Sequence, residues 1–451
     1  MTPAKRFAEM KDSGIEWVGM IPAHWHIKVL FQLVSQVKNK NKDLSETNLL
    51  SLSYGKIKRK NIDDTEGLLP ASFDSYNIIE NNDIVLRLTD LQNDHTSLRV
   101  GRATERGIIT SAYITIRPTN SRMSEYLYYL LHSFDIKKGF YGMGSGVRQG
   151  LNYDEVKMLK LPLPPLNEES AIAAYLDTQC AKIDEIIAQA KASIEDYKQW
   201  KASIIYEAVT KGLNPNVEMK DSGIPCVDKV PKHWTVTRFG KIAAVKSNLV
   251  NPKDYQSYKQ ISPENIKKGS GVLLDYVTVE ESGVISGNHL FYKGQILYSK
   301  IRPTLNKVII APFDGLCSAD MYPIDTDHCS RFILYLMLSA YFNEQVALVT
   351  GNRVKMPKIN QNELSQIMVA IPSDTEEQQI AKYLDLSCSQ IDVLIKEKQS
   401  LIDDLESYKK SLIYRPVDKP AHRKEKILIW NGREQEKRRR LASEGSSYHP
   451  F

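Results

Sequence analysis

Two stretches of the chain repeat each other 209 residues apart. Residues 10–27 read MKDSGIEWVGMIPAHWHI and residues 219–236 read MKDSGIPCVDKVPKHWTV, so 10 of 18 positions are identical. Residues 161–209 and 369–417 also match, at 19 of 49 positions and an offset of 208. Self-similarity at a fixed period is typical of a duplicated structural unit. The chain is therefore predicted to fold as two copies of one plan, in which a repeated frame surrounds an insert that differs between the copies.

Length and composition narrow the class of protein. The chain has 451 residues, 42% hydrophobic and 25% charged, and chains longer than roughly 250–300 residues divide into domains. Five cysteines without a CxxC pair exclude a zinc ribbon and indicate a reducing compartment. The longest apolar run, FILYLMLSAYF, has 11 residues, too few for a bilayer span of roughly 18–20 residues, and is predicted to be a buried helix. Because the N-terminus lacks an apolar signal segment, we expect a cytoplasmic protein.

The repeats set the predicted domains and the fold class. Residues 1–165 and 213–372 contain short strand-like runs such as NDIVLRL and GQILYSKIRP, each followed by an apolar helix. Residues 166–212 and 373–415 follow the 4-3 spacing of long amphipathic helices. We expect an α/β (α+β) fold with an internal pseudo-two-fold repeat, in which two globular domains are joined by two long antiparallel coiled-coil helices. The alternative is two separate helices, each covering its own domain. Residues 416–451 are predicted to be a disordered basic tail.

The apolar seam of the two helices indicates an interface between the helices and with a partner. The positions predicted to form it are Ile172, Leu176, Ile183, Ile380, Leu384 and Ile391. Cys180 and Cys388 occupy equivalent positions on the two helices, and we expect both to pack at this interface as small apolar residues.

Charge is distributed unevenly along the chain. The formal net charge is +6, but the two inserts are basic and the two helical segments acidic. Two basic modules on an acidic spacer predict a polyanion bound at two places, because phosphate neutralisation supplies most nonspecific affinity. For any single residue a solvated surface position is the alternative. The candidate DNA-binding residues are Lys56, Lys58, Arg59, Lys60, Arg87, Arg99, Arg102, Arg148, Lys300, Arg302, Lys307, Arg353 and Lys355.

The sequence contains no recognisable catalytic motif. GMGSG at residues 142–146 resembles a glycine turn for S-adenosylmethionine, but no NPPY-like tetrapeptide follows, and no GxxxxGK[ST] phosphate loop occurs. The pairs His24-Trp25 and His233-Trp234 each follow a proline segment and indicate packing at the start of a domain rather than a base or a metal ligand. We therefore predict no catalytic, cofactor-binding or metal-binding residue in this chain.

The repeated MKDSGI…P.HW segment and the helix opening LPLPPLNEE…YLD…KID resemble the specificity subunit of type I restriction-modification enzymes, over residues 10 to about 415. The resemblance implies a non-catalytic subunit in which each insert is a target recognition domain that reads one half of a split, asymmetric sequence in double-stranded DNA. It also implies that the helices dock two modification subunits, which carry S-adenosylmethionine. Restriction subunits, which use ATP and magnesium, would join through the complex.

Three alternatives remain open. A self-contained methyltransferase or nuclease should show cofactor and catalytic motifs. A coiled-coil scaffold without DNA targeting would not require basic inserts that differ from each other. The third is an inactive or reserve specificity subunit, because the second copy continues as SLIYRPVDKPAHRKEK and then REQEKRRRLASEGSSYHPF, which departs from the family.

Overall fold

The computed structural model describes residues 9–61, 72–143, 150–351, 353 and 356–414. The tail predicted for residues 416–451 lies outside these ranges. The described residues divide into two compact units, the first comprising those up to 189 and those from 401 onward, and the second comprising 190–400. Each unit therefore contains one globular insert together with parts of both long helices.

The first copy of the repeat begins with strands and ends with a long helix. Its strands are β1 (Met10–Asp12), β2 (Met20–Pro22), β3 (His26–Val29), β4 (Val34–Gln36), β5 (Leu50–Ser53), β6 (Lys56–Arg59), β7 (Asn77–Ile79), β8 (Ile84–Leu86), β9 (Val100–Arg102), β10 (Gly107–Ile109), β11 (Ile114–Pro118) and β12 (Lys160–Leu163). Its helices are α1 (Ser124–Ile136), α2 (Tyr153–Val156) and α3 (Leu166–Lys211).

The second copy follows the same order. Its strands are β13 (Met219–Ile224), β14 (Val227–Pro231), β15 (Thr235–Arg238), β16 (Ala244–Val245), β17 (Leu249–Val250), β18 (Lys259–Ile261), β19 (Val277–Thr278), β20 (Asn288–Phe291), β21 (Ile296–Ser299), β22 (Val308–Ile310), β23 (Gly315–Cys317), β24 (Met321–Asp325) and β25 (Met368–Ile371). Its helices are α4 (Val279–Ser282), α5 (Ser330–Leu338), α6 (Ala340–Thr350), α7 (Gln361–Ser365) and α8 (Asp374–Tyr414).

An antiparallel sheet forms the centre of each globular domain. Its strand order is β4-β11-β8-β9 in the first domain and β16-β24-β21-β22 in the second. In β8, Ile84 and Leu86 pack in the cluster that contains α1, while Val85 between them packs against the β5–β6 hairpin. The strand is covered on both faces, which explains why its sequence is continuously apolar rather than alternating.

A second layer of strands differs between the two domains. In the second domain it is one five-stranded sheet, β17-β20-β23-β18-β19, in which β18 and β23 are parallel. In the first domain the corresponding strands form two ribbons, β10-β7 and β5-β6, and a parallel bridge between Leu49 and Ile108 connects them. The inserts therefore share a topology but present different surfaces.

The sequence predicted a single buried helix for the apolar run FILYLMLSAYF. This prediction is wrong, because the run divides into two helices. Ser339 has an extended ψ of 152° and separates α5 from α6, and the two helices are bent by 60°. Six consecutive residues of α5 are nevertheless buried, as predicted for core. Among the described residues, no single helix has the length and apolar composition of a membrane span, although α5 and α6 meet those criteria as a bent pair.

The long helices pair with opposite polarity in each unit. In the first unit, Asp184 of α3 lies 2.6 Å from Lys409 of α8, and in the second unit Lys201 of α3 lies 2.7 Å from Asp392 of α8. The offset of 208 residues relates the two aspartates and the two lysines, so the two ion pairs are equivalent. The predicted fold class, with two globular domains, two long antiparallel helices and an internal repeat, is confirmed.

Equivalent buried carboxylates have different hydrogen-bond partners in the two copies. Glu169 is 3% exposed, and its Oε2 has no hydrogen-bond partner among the described residues. Burial raises the pKa of Glu169 to about 7. Glu377, at the equivalent position, accepts hydrogen bonds from His328 Nδ1 at 2.7 Å and from the Cys329 amide at 2.8 Å, so it caps α5.

The E169Q variant tests the cost of this unpaired carboxylate. A raised folded-state pKa means that the stabilising contribution is complete below the unfolded pKa and is lost as the pH rises through the folded value, here between about 4.5 and 7. Glu169 should contribute roughly 3 kcal/mol to the loss of unfolding free energy of the first unit over that range, and E169Q should remove this contribution while that of Asp135 remains. Urea unfolding near about pH 5 and pH 8 measures it.

The matched change in the other copy, E377Q, provides the control. It replaces an acceptor of the Cys329 amide by a side-chain amide, so it should destabilise the second unit and leave the pH dependence of the first unit unchanged. The same pH dependence in E169Q and wild type would contradict the assignment to Glu169.

Candidate nucleic-acid interface

A side-chain clamp attaches the start of the first domain to the first turn of α3. His24 Nε2 lies 2.8 Å from Glu168 Oε1, and the Trp25 indole donates to Glu168 Oε2 at 3.1 Å. Lys11 donates to the Trp25 carbonyl at 2.6 Å. Glu168 lies in the first turn of its helix, where a carboxylate is also favoured by the helix dipole.

The second copy builds the same clamp from the equivalent residues. His233 Nε2 lies 2.8 Å from Glu376, the Trp234 indole donates to Glu376 at 3.1 Å, and Lys220 donates to the Trp234 carbonyl at 2.5 Å. Trp25 and Trp234 are both buried. The geometry therefore agrees with the interpretation of the repeated His-Trp pair as packing at the start of each domain.

Five of the six predicted seam residues are buried within their own units. Leu176 and Cys180 of α3 pack with Tyr129 of α1 and Ile413 of α8, while Ile380 and Leu384 belong to the core of the second domain. Ile183 and Ile391 are buried and Ile172 is half-buried. They serve the interior of each unit; their role toward a partner stays a prediction.

The first group of candidate cations lies on and beside the β5–β6 hairpin. Lys58 and Lys60 are exposed. Lys56 instead lies 2.7 Å from Asp184 of α3, and Arg59 makes a bidentate contact with Glu105 at 2.5–2.9 Å. Carboxylates therefore already neutralise part of this predicted cluster.

Arg99 lies inside the first domain, with 0% of its surface exposed. Its guanidinium donates to the Tyr141 hydroxyl at 2.9 Å and to the carbonyls of Arg87 at 3.1 Å, Thr89 at 2.8 Å, Asp90 at 3.3 Å and Asp94. These acceptors lie mainly in the loop that joins β8 to β9. Arg99 holds this loop from within the domain, and its side chain is not exposed for contact with DNA.

The other two arginines of the first domain are partly committed to acidic partners. Arg87 is half-buried and lies 3.9 Å from Asp94. Arg102 lies 2.9 Å from Glu125 and 4.0 Å from Asp177 of α3. Arg148 lies outside the described residues.

The structure brings together most of the candidates predicted in the second domain. Lys300, Arg302 and Lys307 belong to the loop between β21 and β22, and the Arg302 amide donates to the Pro357 carbonyl at 2.8 Å. This contact joins that loop to the segment containing Arg353. Lys355 lies outside the described residues. We call the surface formed by residues 267–271, 302–306 and 356–357 the three-loop surface.

Sequence reasoning missed the polar residues on the corresponding loop of the first domain. Gln92, Asn93 and Thr96 are exposed between β8 and β9. They carry no charge, so a search for basic clusters could not find them. The only available signal was their position in the sequence. They lie between the runs NDIVLRL and RVGR, at the place in the repeat that the loop between β21 and β22 has in the second domain.

Among the residues that the structure describes, one group has the composition of a metal site. Ligand atoms of His328, Asp374 and Glu377 lie within 4.8 Å of one another. Both oxygens of Glu377 already accept hydrogen bonds from the start of α5, which gives the group a structural explanation as a helix cap.

Comparison with known proteins identifies the family of this chain. The family model of the type I restriction modification DNA specificity domain matches residues 31–196 and 231–402, more than half of the chain. The chain belongs to the type I restriction-modification specificity subunits. Its two globular inserts are the target recognition domains, as the resemblance implied.

Individual relatives agree with this family. The chain is 30% identical over 308 residues to the type I restriction enzyme EcoDI specificity subunit of Escherichia coli, covering 64% of this chain and 68% of the relative. It is 25% identical over 407 residues to the putative type I restriction enzyme MjaX specificity subunit of Methanocaldococcus jannaschii, covering 85% and 91%.

A solved structure shares the fold. A chain from work on complex assembly and conformational transition of the type I restriction-modification system superposes with a TM-score of 0.63 at 14% identity, covering 87% of this chain and 97% of the solved one. At this identity the likeness concerns the fold alone, and it extends across both target recognition domains of this specificity subunit.

Substitution of Arg99 distinguishes an internal role from DNA binding. R99M should destabilise the first domain on the order of 3 kcal/mol, because buried carbonyl acceptors lose their donors. R302Q, at an exposed arginine of the second domain, should stay within about 0.5 kcal/mol of wild type. Denaturant unfolding with hydrogen exchange of each domain measures both, and equal stability of R99M and wild type would contradict the internal role.

Proposed function

We propose that each target recognition domain reads one half of a bipartite, asymmetric sequence in double-stranded DNA, and that the paired helices set the distance between the halves. The observation that carries this proposal is the difference between equivalent loops on a repeated frame. The first domain exposes Gln92 and Asn93 between β8 and β9, whereas the second exposes Arg302 between β21 and β22. Asparagine and glutamine pair with adenine edges and arginine pairs with guanine, so the two loops are suited to unlike half-sites.

Exposed cations near these loops supply affinity that does not depend on sequence. In the first domain Lys58 and Lys60 extend from the β5–β6 hairpin, and in the second Lys267 and Lys268 lie on the three-loop surface. Phosphate contacts of this kind position a protein on the duplex, while contacts to base edges select the site. Both classes of contact are therefore available in each domain.

We further propose that the helices dock two modification subunits and that restriction subunits join through that complex. Exposed apolar side chains on α8 support a protein contact, since Tyr383 is 42% exposed and Leu386 is 60% exposed. The chain itself acts without catalysis in the cytoplasm. S-adenosylmethionine belongs to the modification subunit, and ATP and magnesium belong to the restriction subunit.

Methylome sequencing tests this function directly. In a host that carries the matching modification subunit, expression of this chain should produce a methylated motif with two unlike halves separated by an unread gap. The motif should be absent without the chain and absent when the modification subunit is catalytically inactive.

Two results would contradict the proposal in different ways. Co-purification of the modification subunit without any new methylated motif would indicate a reserve subunit that assembles but does not target DNA. A motif with two identical halves would contradict the assignment of different specificities to the two inserts.

A further inference from the structure

The three-loop surface is tied together by main-chain hydrogen bonds. The Gly269 amide donates to the Asn306 carbonyl at 3.0 Å, and the Arg302 amide donates to the Pro357 carbonyl at 2.8 Å. The Asn306 side chain is buried and donates to the Met337 carbonyl at 2.9 Å. Residues from three separate parts of the second domain therefore hold one short exposed loop in place.

The backbone of this surface is left-handed at three residues that are not glycine. Arg302, Asn306 and Met356 have φ values of 44°, 47° and 44°, in a region that asparagine adopts readily but arginine and methionine adopt rarely. Such conformations persist where the surrounding structure enforces them, and they concentrate at binding sites. Here the hydrogen bonds between the three loops hold the strained backbone from which the Arg302 side chain extends.

The charge of Arg302 is available, unlike those of Arg353, Lys358 and Lys307 nearby. Arg353 pairs with Glu363, Lys358 lies 3.0 Å from Asp320, and Lys307 donates to the Pro263 carbonyl at 2.6 Å. Arg302 is exposed, and in the part of the chain that the structure describes its guanidinium has no hydrogen-bond or ion-pair partner. An unpaired guanidinium on a preorganised loop retains all five of its donors for a ligand.

We propose that Arg302 determines one guanine of the half-site read by the second domain, by donating to O6 and N7 in the major groove. This rests on the proposed function. The planar fork of arginine matches these two acceptors, which no other base presents together in that groove. Lys267 and Lys268 lie on the adjoining loop and contact flanking phosphates, which positions the loop without selecting the base.

Two substitutions separate the effect of the guanidinium fork from the effect of the positive charge and from that of the left-handed backbone. R302K keeps the positive charge but loses the bidentate geometry. R302N removes the guanidinium but suits the left-handed backbone better than arginine, so this variant should remain folded, with an unfolding midpoint at or above that of wild type. R238Q is the matched control, because Arg238 is an exposed arginine of the same unit on β15, away from the three-loop surface.

The experiment uses the assembled complex of this chain with its modification subunits. Methylation rates are compared on duplexes in which each position of each half-site, as defined by wild-type methylome sequencing, carries each of the four bases. Wild type should prefer guanine at one position by about 5- to 150-fold. Both R302K and R302N should lose this preference at that position alone, keep the other half-site unchanged, and match R238Q at every remaining position.

Salt dependence gives a second readout. The double variant K267Q/K268Q should weaken binding equally for all bases and reduce the dependence of log Kd on log salt by about 1–2, as expected for one or two lost phosphate contacts. R302N should change that slope by no more than about 1. Loss of binding by the same factor for every base in R302N, or an unchanged half-site in both Arg302 variants, would overturn the proposal.

Failure of the proposed function would give a different result from failure of the inference about Arg302. A wild-type complex without any half-site preference would reject DNA targeting by this chain, and with it the inference. A normal split motif that does not depend on Arg302 would reject the inference and leave the proposed function intact.

Discussion

Where the two long helices lie side by side, an aspartate of one faces a lysine of the other in both copies of the repeat. Asp184 meets Lys409 and Asp392 meets Lys201, at positions that the repeat relates to each other. Within each unit, a displacement of one helix by a single turn would separate the pair, so each pair defines the local register. Each unit depends on its local register, because the globular domain of that unit is attached to the first turn of its own helix.

The stability of this arrangement comes from buried surface and the register comes from charge. Exposed ion pairs contribute on the order of 0–1 kcal/mol each, whereas burial of a leucine or isoleucine side chain contributes about 1.5–3 kcal/mol. Leu176, Ile391 and Ile413 are buried along these helices. Asp184 shows how the charges act: burial alone would raise its pKa, but the Lys409 and Lys56 ammonium groups outweigh burial and lower it.

Repeated residues could be interpreted from sequence because two copies of the same pattern support each other. The heptad spacing predicted the long helices, and the repeated His-Trp pair predicted packing at the start of each domain. Individual site residues were harder to predict. Arg99 belongs to a basic run, but its burial depends on the carbonyls of a loop between two strands, which no local pattern reveals. The break at Ser339 and the left-handed backbone of Arg302 depend in the same way on tertiary contacts.

Lengthening the paired helices tests the central claim most directly. An insertion of four residues in both α3 and α8 adds about 6 Å to each at 1.5 Å per residue. If the paired helices set the distance between the half-sites, methylome sequencing should show the same two half-sites with a gap longer by one or two base pairs, at about 3.4 Å each. The same half-sites at the original gap would contradict the claim that this register determines the spacing of the DNA target.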